Sequence, residues 1–433
     1  MSQPTQDDPG DQATLGVLQR LRASQREDDE NLERSYSEFG QYVQYLSAAN
    51  GDEAESDSPI IDRYLAEQGP ESLQLLTNFS RRELDRLWLL VERKLTQVWN
   101  TGRGRRPRAK AKDAFMMALC VLKHYEAWHK HAADFGLQTP TFEKMVYKVL
   151  QEIEPVLMDA FVAPVEMSQL VQDRTVFNNF KYALYATDVK FQPANRPSGR
   201  FLEQKVYFSG KHKLYGYKIE VSVAPNGQAV FFSKPYPGSV SDLSIFIDST
   251  AKHQRLLTKR DDDHSVSDHG EGWSEYPGSW AVLVDKGYQG LQATVRAIHP
   301  TKNPRGGALS ASDVRRNELV SSDRVIVENY FGRMAGLWKC MRSTFVWSEA
   351  RYELLTRICI ALTNFHLQLF PLRRQDTDKY EQVLARYLSM AETNDSRRKR
   401  NVEAARSRRE KRARVDAMAP SLMRQLMENS QEF

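Results

Sequence analysis

The spacing of hydrophobic residues changes near residue 180, and this change constrains the fold more than any other feature of the chain. Upstream, Leu84, Leu87 and Leu95 belong to a series spaced as on one face of a helix. Downstream, apolar residues at 217–223 alternate with polar ones, as in a half-buried strand. Strands that alternate with helices, behind a helical region, predict an α/β or α+β core preceded by a helical domain.

The second region carries several local signals. The turn sequence Pro225-Asn226-Gly227 joins two strand-like runs, which predicts a hairpin over 214–234. The continuous apolar run WAVLVD at 280–285 is typical of a central buried strand, here followed by a carboxylate. Another apolar strand, YALYATD, is predicted to end at Asp188. Helices are then predicted over 322–340 and 350–371.

The first region ends in a pattern that suggests a helix-turn-helix. Gly136 interrupts one helical segment, and Thr139-Pro140 is typical of an N-cap followed by proline in the first turn of the next. An ordinary helical bundle explains the same spacing equally well. Histidines 124, 129 and 131 lie on this amphipathic stretch, and we interpret them as solvent-facing.

The net charge of +5 over 433 residues conceals an uneven distribution. Residues 1–60 hold 13 acidic side chains against four arginines, a balance of −9. Residues 102–112 hold six basic groups and no acid, and residues 395–414 hold ten basic groups against three acids. Because neither basic cluster carries an apolar stripe, they favour nucleic acid over a membrane as the partner.

Composition excludes other classes of protein. The three cysteines lie far apart, which argues against a disulfide scaffold or a cysteine-only zinc site and fits a reducing compartment. No run of 18 apolar residues occurs and the first residues do not resemble a secretory signal, so we expect no membrane span.

Four carboxylates occupy settings that suggest chemistry: Asp188 and Asp285 after apolar strands, Asp242 in the first turn of a helix, and Glu328 in line with apolar residues on another helix. Such carboxylates, if they converge, form a site for a hard divalent cation, and two cations can drive phosphodiester cleavage. Taken singly, each is more often a loop or helix cap. The acidic insert 260–279, with His264 and His269, is interpreted as a flexible surface loop rather than a metal site.

Several motifs in order resemble the DDE-superfamily transposase/endonuclease domain of Harbinger-type elements, a group related to bacterial insertion-sequence transposases. The resemblance covers 180–370 and rests on ATDVKFQPANRP, FSGKHKLYGYKIEVSVAPNG, PGSVSDLSIF, LVDKGYQG and RVIVENYFGRMAGLWK. It implies a ribonuclease-H-like mixed sheet flanked by helices, with Asp188, Asp285 and Glu328 as catalytic residues. It also implies Mg²⁺ or Mn²⁺ as cofactor, with Asp242 as a further metal ligand. Val189 departs from the glycine that many members have at that position.

We therefore expect four parts: an acidic disordered tail over 1–65, a helix-turn-helix-like DNA-binding region over 70–165, a catalytic domain over 175–372 and a basic tail over 373–433. Residues 397–414 resemble a leucine-zipper basic region, but no heptad repeat follows and Pro420 interrupts the sequence. We interpret this tail as a nuclear localisation signal that binds DNA non-specifically. The predicted DNA contacts elsewhere are basic: Arg103, Arg105, Arg106, Arg108, Lys211, Lys213 and Lys286.

These features predict a nuclear, metal-dependent endonuclease/transposase that cleaves phosphodiester bonds at transposon ends. A domesticated DNA-binding protein without turnover is the alternative, and an RNA-directed nuclease a weaker one. The sequence leaves open whether the chain forms a homo-oligomer or needs a second DNA-binding protein as a partner.

Overall fold

The helical period upstream of residue 180 corresponds to a helical unit in the structure. The structure is a computed structural model, which describes residues 56–99, 101, 107–198, 200–304 and 307–429. Most of the predicted acidic tail therefore lies outside the described residues. The chain divides into two compact units, Met1–Val156 and Leu157–Phe433. None of the helices described is long and apolar enough to cross a membrane.

The described part of the first unit contains five helices and most of a sixth. They are α1 (Pro59–Gln68), α2 (Glu71–Thr77), α3 (Arg81–Trp99), α4 (Ala111–His124), α5 (Trp128–Asp134) and α6 (Thr139–Phe161). The predicted apolar face of α3 is buried, including Leu84, Leu87 and Leu95. The turn at Gly136 is confirmed, since this residue has a φ of +63° and α6 begins three residues later. A DNA-binding role for this unit remains a prediction.

The interpretation of His131 as solvent-facing was wrong. Its side chain is buried and stacks on Phe142. Nε2 of the ring accepts a hydrogen bond from the backbone N–H of Glu126 at 3.0 Å, so that nitrogen must be unprotonated. Burial lowers the pKa of His131 to about 4. The imidazole is thus held neutral in the folded unit.

The neutral His131 predicts a loss of stability in acid. A folded-state pKa below that of the unfolded chain stabilises the protein above pH 6.5, and this contribution is lost as the pH falls towards 4. Between pH 7.5 and pH 5 the wild type should lose about 2 kcal/mol more unfolding free energy than His131→Gln, which keeps a hydrogen-bond acceptor. Urea unfolding at both pH values measures this difference. Equal losses in the two proteins would show that His131 is not responsible.

The second unit is built on a mixed sheet flanked by helices, as predicted for a ribonuclease-H-like fold. Its strands are β1 (Ala183–Pro193), β2 (Phe208–Ser209), β3 (Leu214–Val223), β4 (Ala229–Phe232), β5 (Tyr236–Pro237), β6 (Ala281–Leu283) and β7 (Ala297–Ile298). The main path runs β2-β3-β1-β6-β7, with β4 and β5 also paired to β3. The central strand β1 is antiparallel to β3 and parallel to β6.

Helices of this unit follow or interrupt the strands. They are α7 (Met167–Gln172), α8 (Phe201–Val206), α9 (Asp242–Asp248), α10 (Thr250–Leu257), α11 (Ala311–Leu337), α12 (Glu349–Leu369) and α13 (Gln375–Asn429). The predicted cap of α9 is confirmed, because Ser241 Oγ accepts the N–H of Ser244 at 3.1 Å. Short 3₁₀ turns occur at Asp261–Ser265, Lys286–Tyr288, Leu291–Ala293 and Lys339–Met341.

The hairpin predicted over 214–234 is confirmed as β3 and β4, with Gly227 in the turn at a φ of +86°. The predicted end of the first strand at Asp188 was wrong. Strand β1 continues to Pro193 because residues 189–193 pair with the first half of β3. Asp188 therefore lies within β1, where it pairs with Val221 of β3.

The insert 260–279 is anchored by buried acids, in contrast to the flexible loop that was predicted. Asp268 accepts two hydrogen bonds from the buried guanidinium of Arg296, at 2.6 and 2.9 Å. Lys259 Nζ lies 2.7 Å from the same carboxylate. Asp263 accepts the indole N–H of Trp280 at 2.9 Å. Paired, buried charges of this kind fix the insert against the sheet.

Candidate active site

Strands β1 and β6 bring two of the predicted acids together. They are parallel neighbours in which Ala186 pairs with Leu283. Asp188 and Asp285 each follow their paired residue by two positions, so the two acids leave adjacent strands at the same level of the sheet. This placement results from the pairing of two apolar strands that are distant in sequence.

A single guanidinium lies between these two carboxylates. Arg324 Nη2 is 3.4 Å from Asp188 Oδ2, and Arg324 Nη1 is 3.2 Å from Asp285 Oδ1. The side chain of Arg324 is only 10% exposed, against 25% for Asp188 and 45% for Asp285. Its Nε is buried and has no hydrogen-bond partner among the described residues. The arginine thus supplies the positive charge that two neighbouring acids require.

The residue before this arginine fixes the helix that carries it. Asp323 on α11 accepts the backbone N–H groups of Asn179 and Phe180, both at 3.0 Å, and the side-chain amide of Asn179 at 2.9 Å. These three contacts hold α11 against the segment that leads into β1. Arg324 is therefore presented to the acids by an anchored helix.

Glu328 is one helical turn beyond Arg324 on α11. Residues four apart on a helix are neighbours on one face, so Glu328 belongs to the same surface of α11. Its side chain is half-buried, and burial raises its pKa. The charge of Arg324 opposes this rise, while that of Asp285 adds to it. Glu328 therefore lies within the electrostatic field of the other two groups.

The ionisation of Asp188 is strongly affected by its surroundings. Burial raises the pKa of this carboxyl to about 6, against the lowering effects of Arg324 and Lys211. Its Oδ1 also accepts the N–H of Val189 at 2.7 Å. The influence of Lys211 places a predicted DNA contact close to the acid.

Asp242 has a different partner. It is the first residue of α9 and forms a 2.9 Å ion pair with Lys218 of β3. The same ammonium donates to the backbone carbonyl of Val240 at 2.8 Å. Within the described ranges, no group of three or more His, Cys, Asp or Glu side chains is arranged to hold a metal ion. Arg324, and not Asp242, is the residue that contacts both Asp188 and Asp285.

The chemistry of the residues nonetheless fits a hard divalent cation. Asp188, Asp285 and Glu328 offer carboxylate oxygens, the ligands that Mg²⁺ and Mn²⁺ prefer. Two of these acids already share one positive charge, which shows that the site stabilises a cation at this position. A metal ion that binds both would require Arg324 to give up at least one contact.

The predicted DNA contacts are only partly placed by the structure. Lys211, Lys213 and Lys286 are exposed in the second unit, and Lys286 directly follows Asp285. Arg108 is exposed in the first unit. The remaining predicted contacts lie outside the described residues: Arg103, Arg105 and Arg106.

Asp188 on β1 and Asp285 just after β6 thus lie side by side in a ribonuclease-H-like sheet, and Glu328 lies on a late helix. Residues 185–364 match the family described as DDE superfamily endonuclease. All four predicted acids lie inside the matched segment, as does Arg324.

A comparison over a longer stretch finds a related class of protein. Over 269 residues the chain is 23% identical to the "Probable transposase for insertion sequence element IS702" of Microchaete diplosiphon. The aligned segment covers 61% of this chain and 84% of that protein. No solved structure matches the chain significantly. The more specific Harbinger assignment stays a prediction.

Removal of Arg324 should destabilise the second unit. In Arg324→Met, two neighbouring acids lose their shared counter-charge, and we expect a loss of about 1–3 kcal/mol in unfolding free energy. The matched control is Arg315→Met, which changes an exposed arginine on the same helix and should alter the unfolding free energy by less than about 0.5 kcal/mol. Denaturant unfolding of both variants measures this contrast. A smaller effect for Arg324→Met than for the control would contradict the role assigned to the guanidinium.

Proposed function

We propose that this protein is a metal-dependent DNA endonuclease/transposase that cleaves phosphodiester bonds at transposon ends. The observation that carries the proposal is the convergence of Asp188 and Asp285 on Arg324, with Glu328 one turn away, inside a DDE endonuclease domain. Asp188, Asp285 and Glu328 would hold Mg²⁺ or Mn²⁺. Asp242 would join them as a further ligand after release from Lys218.

Each part of the site then has a defined task. The divalent cation, when bound, supplies the Lewis acidity that activates water and stabilises the leaving oxygen. The chain supplies rigid carboxylates on β1 and after β6, and a glutamate on the anchored helix α11. Lys211, Lys213 and Lys286 hold the phosphate backbone beside them, through contacts that are independent of sequence. The helical unit and the basic tail provide further DNA contacts, and the nucleus is the expected compartment.

A domesticated DNA-binding protein without turnover is the alternative function. The observation in its favour is the Arg324 bridge, which partly compensates the charges of Asp188 and Asp285. In that case the acids stabilise the fold, and only DNA binding remains. The two functions make opposite predictions for cleavage.

Conservative removal of the acids should abolish nicking but not binding. Asp285→Asn and Glu328→Gln should each reduce Mg²⁺- or Mn²⁺-dependent nicking of terminal-repeat duplexes about a thousandfold or more, because each removes a ligand from the reacting centre. DNA affinity should stay within about twofold, since phosphate contacts are made elsewhere.

The control for Glu328→Gln is Glu318→Gln, which changes an exposed acid on the same helix and should leave nicking intact. Unchanged nicking in Asp285→Asn would end the catalytic proposal. A wild-type protein that binds terminal-repeat duplexes specifically but does not nick them with Mg²⁺ or Mn²⁺ would support the DNA-binding alternative.

Metal binding itself has a readout that does not depend on cleavage. At a Mn²⁺ concentration ten times the dissociation constant, the ion should stabilise the folded chain by about 1.4 kcal/mol. Mn²⁺ should therefore raise the melting temperature of the wild type, and EDTA should reverse this increase. The double variant Asp188→Asn/Asp285→Asn should show no such increase. An equal Mn²⁺-dependent shift in both proteins would place the metal elsewhere.

A further inference from the structure

The C-terminal helix α13 begins as part of the catalytic unit. It meets α11 at Gly332, where a Cβ atom would lie 1.7 Å from the backbone oxygen of Asp376, so only glycine permits the contact. The neighbouring Arg333 forms a bidentate pair with the Asp376 carboxylate, at 3.0 and 2.9 Å. Its guanidinium also donates to the carbonyl of Phe370 at 2.7 Å. The start of α13 is therefore fixed on the helix that carries Arg324 and Glu328.

The next turns of α13 are packed on the same unit. Val383, Tyr387 and Ala391 are buried in one cluster with Phe191 of β1 and Ala335 of α11. The Tyr380 ring packs beside that of Phe331 of α11, with 5.3 Å between ring centroids and an interplanar angle of 53°. Burial raises the pKa of the Tyr380 hydroxyl, and the charges of Asp188 and Glu328 add to this rise. The docked part of α13 thus passes close to the candidate active site.

Between residues 392 and 413 the same helix has no packed face. Every side chain from 392 to 413 is exposed. At 1.5 Å per residue this exposed stretch spans roughly 33 Å. A helix that is polar on every face is not stabilised by packing on its own domain, so this stretch is available to bind a partner.

Charge on the exposed stretch is divided between two halves of the helix. With about 100° between successive residues, all four acids fall on one half, the acidic face: Glu392, Asp395, Glu403 and Glu410. Lys399 and Arg406 share that face and form ion pairs with Asp395 and Glu410, at 3.2 and 2.9 Å. The other half, the basic face, contains no acid and carries seven basic residues: Arg397, Arg398, Arg400, Arg408, Arg409, Lys411 and Arg412.

Small side chains lie in the middle of the basic face. Asn401, Ala404 and Ala405 occupy the positions between its two groups of basic residues. Long basic side chains therefore surround a patch of small ones. This arrangement suits the major groove of duplex DNA, which a helix can enter and which rows of phosphates flank. A membrane surface would require an apolar stripe, which the basic face lacks.

We propose that the basic face of α13 binds duplex DNA next to the bond that the endonuclease domain acts on. That the bound duplex is DNA rests on the function proposed above. Because α13 is one helix from Gln375 to Asn429 and its start is fixed on α11, the bound duplex is held in register with the acids.

Two double variants test the proposal, because each removes two positive charges from the same exposed helix. Arg397→Gln/Arg408→Gln changes the basic face, and Lys399→Gln/Arg406→Gln changes the acidic face. Binding of the full chain to a duplex of about 30 base pairs is measured by fluorescence anisotropy over a range of KCl concentrations, without divalent cations. The basic-face variant should lower the slope of log affinity against log salt by about 1.8, or 0.9 for each lost phosphate contact, and weaken binding at least tenfold. The acidic-face variant should change the slope by less than half as much.

Equal effects of the two variants, or no effect of either, would overturn the proposal, as would tighter binding of an RNA duplex than of DNA. Circular dichroism at 222 nm must show equal helix content in both variants. Failure of the catalytic proposal is separable, because Asp285→Asn keeps the basic face intact. Unchanged nicking in Asp285→Asn, with binding that still depends on the basic face, would contradict only the cleavage proposal. Loss of nicking in Asp285→Asn, with binding that does not depend on the basic face, would contradict only this one.

Discussion

The contact on which the candidate site depends is the guanidinium of Arg324 between the carboxylates of Asp188 and Asp285. Two acids on adjacent parallel strands repel each other, and one of them is largely removed from water. A shared cation resolves both problems, and an anchored helix supplies it. The same helix carries Glu328 one turn later and receives the start of α13 at Gly332. The sheet, the acids and the C-terminal helix are thus connected through α11.

Under the proposed function, the same carboxylates must accommodate either Arg324 or a metal ion. With Arg324 in place, the charges of Asp188 and Asp285 are partly compensated. A divalent cation offers a higher charge to the same oxygens but must compete with the guanidinium. The affinity of the site for metal would then depend on the cost of moving Arg324 as well as on the number of carboxylate ligands.

Much of the fold follows from local signals in the sequence. The Asn-Gly turn predicted the hairpin of β3 and β4, Ser241 predicted the start of α9, and the apolar run at 280–285 predicted β6. The end of β1 was missed because Lys190 and Gln192 interrupt its apolar pattern. Both are buried, and Lys190 Nζ donates to the carbonyl of Met341 at 2.6 Å and to Gln192 Oε1 at 2.8 Å. A partner such as Met341, 151 residues further along the chain, cannot be inferred from spacing in a strand.

The sequence pointed to the acids of the candidate site but not to its cation. The apolar runs before Asp188 and Asp285, the helical setting of Glu328 and the family resemblance indicated these three residues, whose catalytic role stays a prediction. An arginine in a helix of mixed polarity, by contrast, looks solvent-exposed. Its spacing of four residues before Glu328 was the one signal that pointed to the site. His131 was misplaced for a similar reason, since its burial depends on Phe142 of another helix.

Anomalous diffraction from crystals soaked in Mn²⁺ tests the central claim most directly. The account predicts a manganese peak bonded to oxygens of Asp188 and Asp285, with Arg324 withdrawn from at least one of them. Crystals that bind manganese elsewhere, while Arg324 still bridges both acids, would contradict it.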